Sequence, residues 1–263
     1  MRSLEQMPLR RVQIDVARID VMTEAQCVAH IMAELAAGRG GWLLTANVEH
    51  LRMMQTLRQY RELTATANLT VADGMPLVWA SHLQGEPLPE RVTGSNLIRS
   101  LSRAAAEAGR SVFLFGGDPG AAEAASNVLR RANPSLRVAG TLSPPRGFDD
   151  DEAELKRIVS AVTAAAPDIV YVALSTPRQD NLCVELRRAL PRAWCTGVGI
   201  SFSFLSGDVQ RAPQWIQDVG LEWLHRLAQE PRRMAPRYLR NFPVALRLLG
   251  TTATQRLLRS GER

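Results

Sequence analysis

Short apolar runs alternate with longer amphipathic stretches through most of this chain. Trp42-Leu43-Leu44-Thr45, Leu69–Ala72, Ser111–Phe115, Leu136–Gly140, Asp168–Leu174 and Ala193–Val198 are each a few residues long and read as strands. The stretches between them have helical spacing, as in Leu97, Ile98, Leu101 and Ala105, which share one face. Strands alternating with helices predict a Rossmann-like α/β fold, a mainly parallel sheet with flanking helices.

Local signals set the boundaries. Arg11–Ile19 alternates loosely, as a first strand or an edge hairpin would. Thr23-Glu24-Ala25-Gln26 is a capping box, and the helix it opens is expected to end at Gly38. One helix is expected from Val48 to about Ala65, another from Pro76 to Gly85, and a third from Ser95 to Gly109. Asp118 and Pro119 suit the first positions of the next helix. Asp149–Ala166 reads as a helix with acidic residues at its start. Beyond Gly207 there are no strand candidates. The chain is therefore expected to have an α/β core, residues 1–207, and a helical appendage, residues 208–263.

Composition narrows the class. A chain of 263 residues with 46% hydrophobic and 22% charged residues can bury a full core. No stretch approaches the ~18 apolar residues of a membrane span, and the N-terminus has no apolar signal core. Cys27, Cys183 and Cys195 lack metal or redox spacing and read as reduced core residues of a cytoplasmic protein. Of the net charge of +6, residues 206–263 carry +5, from ten Arg against five Asp and Glu. Lys156 is the only lysine, so the cations are almost all guanidiniums, suited to bidentate phosphate contact.

In a parallel sheet ligands bind beyond the carboxyl ends of the strands. Thr45, Asn47 and Asp73 follow two such ends and should meet in one crevice. Asp73-Gly74 is a turn dipeptide by spacing alone; in a crevice its carboxylate would also accept a proton from a substrate hydroxyl. Thr45 and Asn47 alone would serve as a helix cap. Arg91 is either a solvated charge or a holder of a diphosphate. Gly116-Gly117-Asp118-Pro119-Gly120 is either a tight turn or a nucleotide cradle at a helix start. It is neither the dinucleotide fingerprint nor a P-loop. His30, His50, His82 and His225 are scattered and read as structural or surface residues, and no metal motif is present.

Together Thr45-Ala46-Asn47, Ala72-Asp73-Gly74 and Glu90-Arg91-Val92-Thr93-Gly94 resemble the WecG/TagA/CpsF family of bacterial glycosyltransferases. Ser175–Asp180 resembles that family's Gly-x-Pro-Lys-Gln-Glu, with Ala173 and Ser175 where glycines are usual, Arg178 for Lys, Asp180 for Glu, and Gln179 retained. Arg211-Ala212-Pro213-Gln214-Trp215, Gly220-Leu221-Glu222-Trp223 and Glu230-Pro231-Arg232-Arg233 match its tail, so the resemblance runs from roughly residue 10 to 242. It implies transfer of an N-acetylmannosamine-type or related sugar from a UDP donor to a polyprenyl-diphosphate-linked acceptor. Asp73 is then the expected base, with Thr45, Asn47, Arg91 and Gln179 beside it. Gly74, Gly116, Gly117, Arg178, Gly199, Arg211, Arg232 and Arg233 are the expected substrate or nucleotide contacts.

No cofactor and no metal are expected. The arginine-rich, aromatic tail is expected to sit on the inner face of the plasma membrane rather than on nucleic acid, and a homo-oligomer is compatible with this reading. Two other classes remain open at this point: a non-catalytic nucleotide-sugar or anion-binding module, and nucleic-acid binding through the tail.

Overall fold

The computed structural model describes residues 9–145 and 147–260. The start of the N-terminal segment and the last three residues of the expected appendage lie outside the described residues. The chain opens with a hairpin, β1 (Arg11–Ile14) and β2 (Ala17–Asp20), followed by α1 (Glu24–Ala36), β3 (Gly41–Ala46), α2 (Val48–Thr56), α3 (Arg58–Thr64) and β4 (Leu69–Ala72). Then come α4 (Met75–Leu83), α5 (Gly94–Glu107), β5 (Ser111–Gly116), α6 (Ala121–Ala132), β6 (Arg137–Leu142), α7 (Glu152–Ala164), β7 (Ile169–Ala173), α8 (Arg178–Ala189) and β8 (Trp194–Gly197). Four helices finish it: α9 (Ser201–Ser206), α10 (Gln214–Asp218), α11 (Glu222–Gln229) and α12 (Pro231–Ser260).

Six strands form one parallel sheet in the order β4-β3-β8-β7-β5-β6. The expected Rossmann-like α/β architecture is present. Successive residues point to opposite faces, so Trp42 and Leu44 join one core while Leu43 joins the other. Phe113 and Phe115 are likewise separated from Val112 and Leu114. α1, α5, α6 and α9 pack on the second face; α2, α3, α7 and α8 pack on the first, where α12 lies against α2 and α4. This double cover is why strands such as β5 and β7 are buried along their whole length. The N-terminal hairpin lies beside β4, where Asp20 accepts from the Thr70 amide at 2.8 Å and from Arg11 at 2.7 Å.

Two local expectations are corrected. The helix read from Val48 to Ala65 is two helices, broken at Leu57, whose backbone is extended (φ −124°, ψ 104°). The Thr56 hydroxyl bonds the Arg52 carbonyl at 3.0 Å, a side-chain competitor for the backbone, and the new axis buries Tyr60. Asp118 and Pro119 do not start α6. The chain leaves β5 through left-handed Gly116 and Gly117, and Gly120, also left-handed, precedes the first helical residue. Among the described residues no helix is long and apolar enough to cross a membrane.

Candidate active site

β3 and β4 run in register, so their carboxyl ends arrive together. The Asp73 amide bonds the Ala46 carbonyl at 2.8 Å, which sets Asp73 beside Asn47. Gly74 follows as the cap of α4, with Met75 and Pro76 in the first turn. Asp73 is partly buried at these strand ends. Burial raises its carboxyl to about 7, pulled down by Arg91, raised by Glu222, and pulled down again by His50 and Arg211. A carboxyl with that value is half-ionised near neutral pH.

The arginines are assembled by the tail. The Val92 amide bonds the Ala72 carbonyl at 2.9 Å, so the Arg91 segment continues beside β4. Arg91 Nη2 donates to Glu222 Oε2 at 3.0 Å, and Arg211 Nε donates to Glu222 Oε1 at 3.2 Å. Arg211 Nη1 also donates to Asn96 at 2.7 Å, while its Nη2 is buried with no hydrogen-bond partner. Gly220 permits this approach: a Cβ there would lie 2.6 Å from Met75 Cγ, so only glycine lets the turn before α11 rest on α4. Arg237 paired with Glu49 (2.5 Å), and Arg52 with Asn241 (3.1 Å), strap α12 to α2.

On the opposite side Asn47 caps α2, its Oδ1 accepting from the Glu49 and His50 amides at 3.0 and 3.4 Å. Thr45 is buried two residues earlier in β3. His50 is buried beneath Asn47, with Nδ1 2.9 Å from Asn47 Oδ1 and Nε2 3.6 Å from Asp180 Oδ2. That same Asp180 oxygen accepts the Tyr60 hydroxyl at 2.6 Å. Gln179 precedes Asp180 in the first turn of α8 and packs on Gly197; its Oε1 is buried without a partner. Unmet polar atoms such as this oxygen and Arg211 Nη2 cost roughly 1–3 kcal/mol each. They mark places where a ligand's polar groups would be favoured.

The remaining candidates are placed as follows. Gly116 and Gly117 form the left-handed turn after β5, where the Gly117 amide bonds the Ala173 carbonyl at 2.8 Å. Gly199, also left-handed, opens the turn from β8 to α9. Arg178 is ion-paired with Asp149 (Nε–Oδ2 2.6 Å) and lies over the Phe148 ring. Arg232 and Arg233 are exposed, and Arg233 pairs with Glu230 at 3.1 Å. Thus Arg211 and Arg91 meet through one carboxylate, whereas Arg178 and Arg233 have carboxylate partners of their own.

Of the residues that adjoin these candidates, Tyr60 has no place in the sequence reading, His50 is read there as structural or surface, and Asp180 and Glu222 stand only within family motifs. His50 stands three residues after Asn47, the spacing of a capping box, which was a usable signal. For Glu222 the tail motif is a signal of position only, because its pairing depends on where the tail folds.

The parallel α/β sheet thus carries a carboxylate, two guanidiniums and an amide side chain near its strand ends. The chain belongs to the glycosyl transferase WecG/TagA/CpsF family, whose model matches residues 12–258, and it is therefore a glycosyltransferase. It is similar to the N-acetylglucosaminyldiphosphoundecaprenol N-acetyl-beta-D-mannosaminyltransferase of Bacillus spizizenii strain W23, 32% identical over 200 residues, 76% of this chain and 75% of that protein. The protein of the same name from Bacillus subtilis strain 168 is 29% identical over 177 residues, covering 67% of this chain and 66% of its own.

Proposed function

We propose that this enzyme transfers an N-acetylmannosamine-type sugar from a UDP donor to an amino sugar on a polyprenyl diphosphate, with inversion and without a metal. The observation that carries this reading is Asp73, a carboxyl brought to about 7 by burial, facing the Arg91–Glu222–Arg211 cluster. Asp73 takes the proton of the acceptor hydroxyl as that oxygen attacks the anomeric carbon. The bond from that carbon to the donor diphosphate breaks on the opposite face, and UDP departs with the bonding pair. Arg91 and Arg211 offset the charge that develops on the diphosphate. The relatives' names specify a β-linked mannosaminyl product, and an α-linked nucleotide donor reaches that product by inversion.

In this reading residues 1–207 are the catalytic core, and residues 208–263 complete the site while resting on the inner face of the membrane. A stripe on α12 supports the second role: Leu239, Phe242 and Leu246 are 74%, 59% and 55% exposed and share one helical face. Trp215, 66% exposed, and the exposed Arg232, Arg233 and Arg240 lie on the same appendage. Aromatic and guanidinium side chains suit an anionic headgroup layer.

The test is a panel of UDP-sugars with a lipid-diphosphate-linked N-acetylglucosamine, with and without EDTA. The expected product is a β-linked disaccharide formed equally in both. Transfer that vanishes in EDTA and returns with Mg²⁺, or an α-linked product, would overturn the mechanism.

A further inference from the structure

His50, Asp180 and Tyr60 form a buried polar cluster on a face of the sheet that is otherwise aliphatic and aromatic. Buried polar groups of this kind carry a desolvation cost, and helix packing does not require them. Their position is informative. The cluster lies directly under Asn47, and Asp180 adjoins Gln179 in the chain. His50 Nδ1 is 2.9 Å from Asn47 Oδ1 and 3.3 Å from the Asn47 amide nitrogen, so with the proton on Nδ1 the ring holds the cap residue by donating to Oδ1. On the far side the ring nitrogen meets Asp180 at 3.6 Å and the Thr176 hydroxyl at 3.5 Å, both from the turn that opens α8. Asp180 is fixed in turn by Tyr60.

Asn47 Oδ1 accepts from two backbone amides and, with the proton on Nδ1, from the imidazole. Its Nδ2 hydrogens have no acceptor among the described residues, and the residue is only partly buried. A side-chain amide with its oxygen fixed presents both N–H bonds in one plane.

We propose that His50, buttressed by Asp180 and Tyr60, is a positioning residue that locks the Asn47 amide so that Nδ2 donates to an oxygen of the bound substrate. The ligand atom is an acceptor oxygen, either a sugar hydroxyl or acetamido carbonyl or a diphosphate oxygen. The kinetic arm of the test rests on the transfer reaction proposed above; the spectroscopic arm does not.

The experiment is a double-mutant cycle on the full chain. Asn47→Ser keeps a capping oxygen and deletes Nδ2. His50→Phe keeps the volume and deletes the grip. Each change alone should lower kcat/KM by about 10–100-fold. In the Asn47→Ser background, His50→Phe should add less than about 3-fold, because the donor it positions is already gone. Losses that multiply would overturn the proposal. If His50→Phe fails to fold, Asp180→Asn takes its place in the same cycle.

UDP and UDP-N-acetylglucosamine then separate the ligand atoms. An Asn47→Ser defect in UDP affinity places the donor on the diphosphate, and unchanged UDP affinity places it on the sugar. If no sugar donor is turned over, the proposed reaction has failed, and ¹H–¹⁵N spectra decide the positioning role. The Asn47 side-chain NH₂ pair should be sharp in the native protein and broadened or shifted in His50→Phe. An unchanged pair would overturn it.

Discussion

Glu222 reaches across 131 residues of chain to hold Arg91, its Oε2 accepting from the guanidinium at 3.0 Å, and its other oxygen holds Arg211. One carboxylate of the tail thereby sets the spacing of two cations in front of Asp73. Its charge also raises the Asp73 carboxyl. Glu222→Gln should therefore move the acidic limb of the kcat/KM profile to lower pH, and lower kcat/KM by about 10-fold as the guanidiniums lose their charged anchor. A pH-rate series on the two proteins checks this. A limb that stays in place would separate Glu222 from the base.

Asp73→Asn should lower kcat by roughly 10²–10⁴-fold while the fold persists. It should also stabilise the protein in a pH-dependent way. The folded carboxyl titrates near 7, above its ordinary 3.8, so between those values the native state keeps a proton that the unfolded chain has released. The stability this group contributes is complete below about pH 4 and is lost as pH rises through 7. The Asn variant should thus exceed the native protein by about 1–3 kcal/mol at pH 8, with the gap closing towards pH 4. Urea denaturation at the two pH values measures it. A gap that widens at low pH would contradict the buried-carboxyl account.

Gly197 stands where β8 meets Gln179. A Cβ at this position would lie 2.5 Å from Gln179 Cδ, so Gly197→Ala must push that side chain away. Because the displaced group is the end of a flexible side chain, the stability loss should stay near 1 kcal/mol. Turnover should fall at least about 10-fold, matching Gln179→Ala, and the two changes together should do no more than either alone. Independent, multiplying losses in turnover would show that Gln179 is not the route of the effect.

Docking and catalysis can be separated without removing the tail. Truncation after Gly207 would uncover the surfaces of α2 and α4 on which α12 rests and would strip away the buried Met234 and Leu248. Point changes avoid this. Leu239→Ser, Phe242→Ser and Leu246→Ser together should reduce binding to anionic liposomes by at least about 10-fold, while leaving turnover of a water-soluble acceptor intact. Arg211→Gln should do the reverse. Equal liposome binding by the triple variant would remove the stripe from the membrane contact.

The sequence by itself determined the sheet. Six short apolar runs, alternating with amphipathic segments, leave few alternatives to a parallel α/β fold, because strand and helix periods are local properties. Asp73 and Asn47 were legible for the same reason: each directly follows a strand, and parallel strands gather their carboxyl ends on one edge. Tertiary structure alone decided what surrounds them. The break at Leu57, which no glycine or proline announces, turns Tyr60 inward to Asp180. The pairing of Glu222 with Arg91 depends on the path of the tail over α4, which Gly220 permits by close approach to Met75. Such contacts join residues more than a hundred positions apart. Neither periodicity nor charge count encodes them, since both describe only neighbours along the chain.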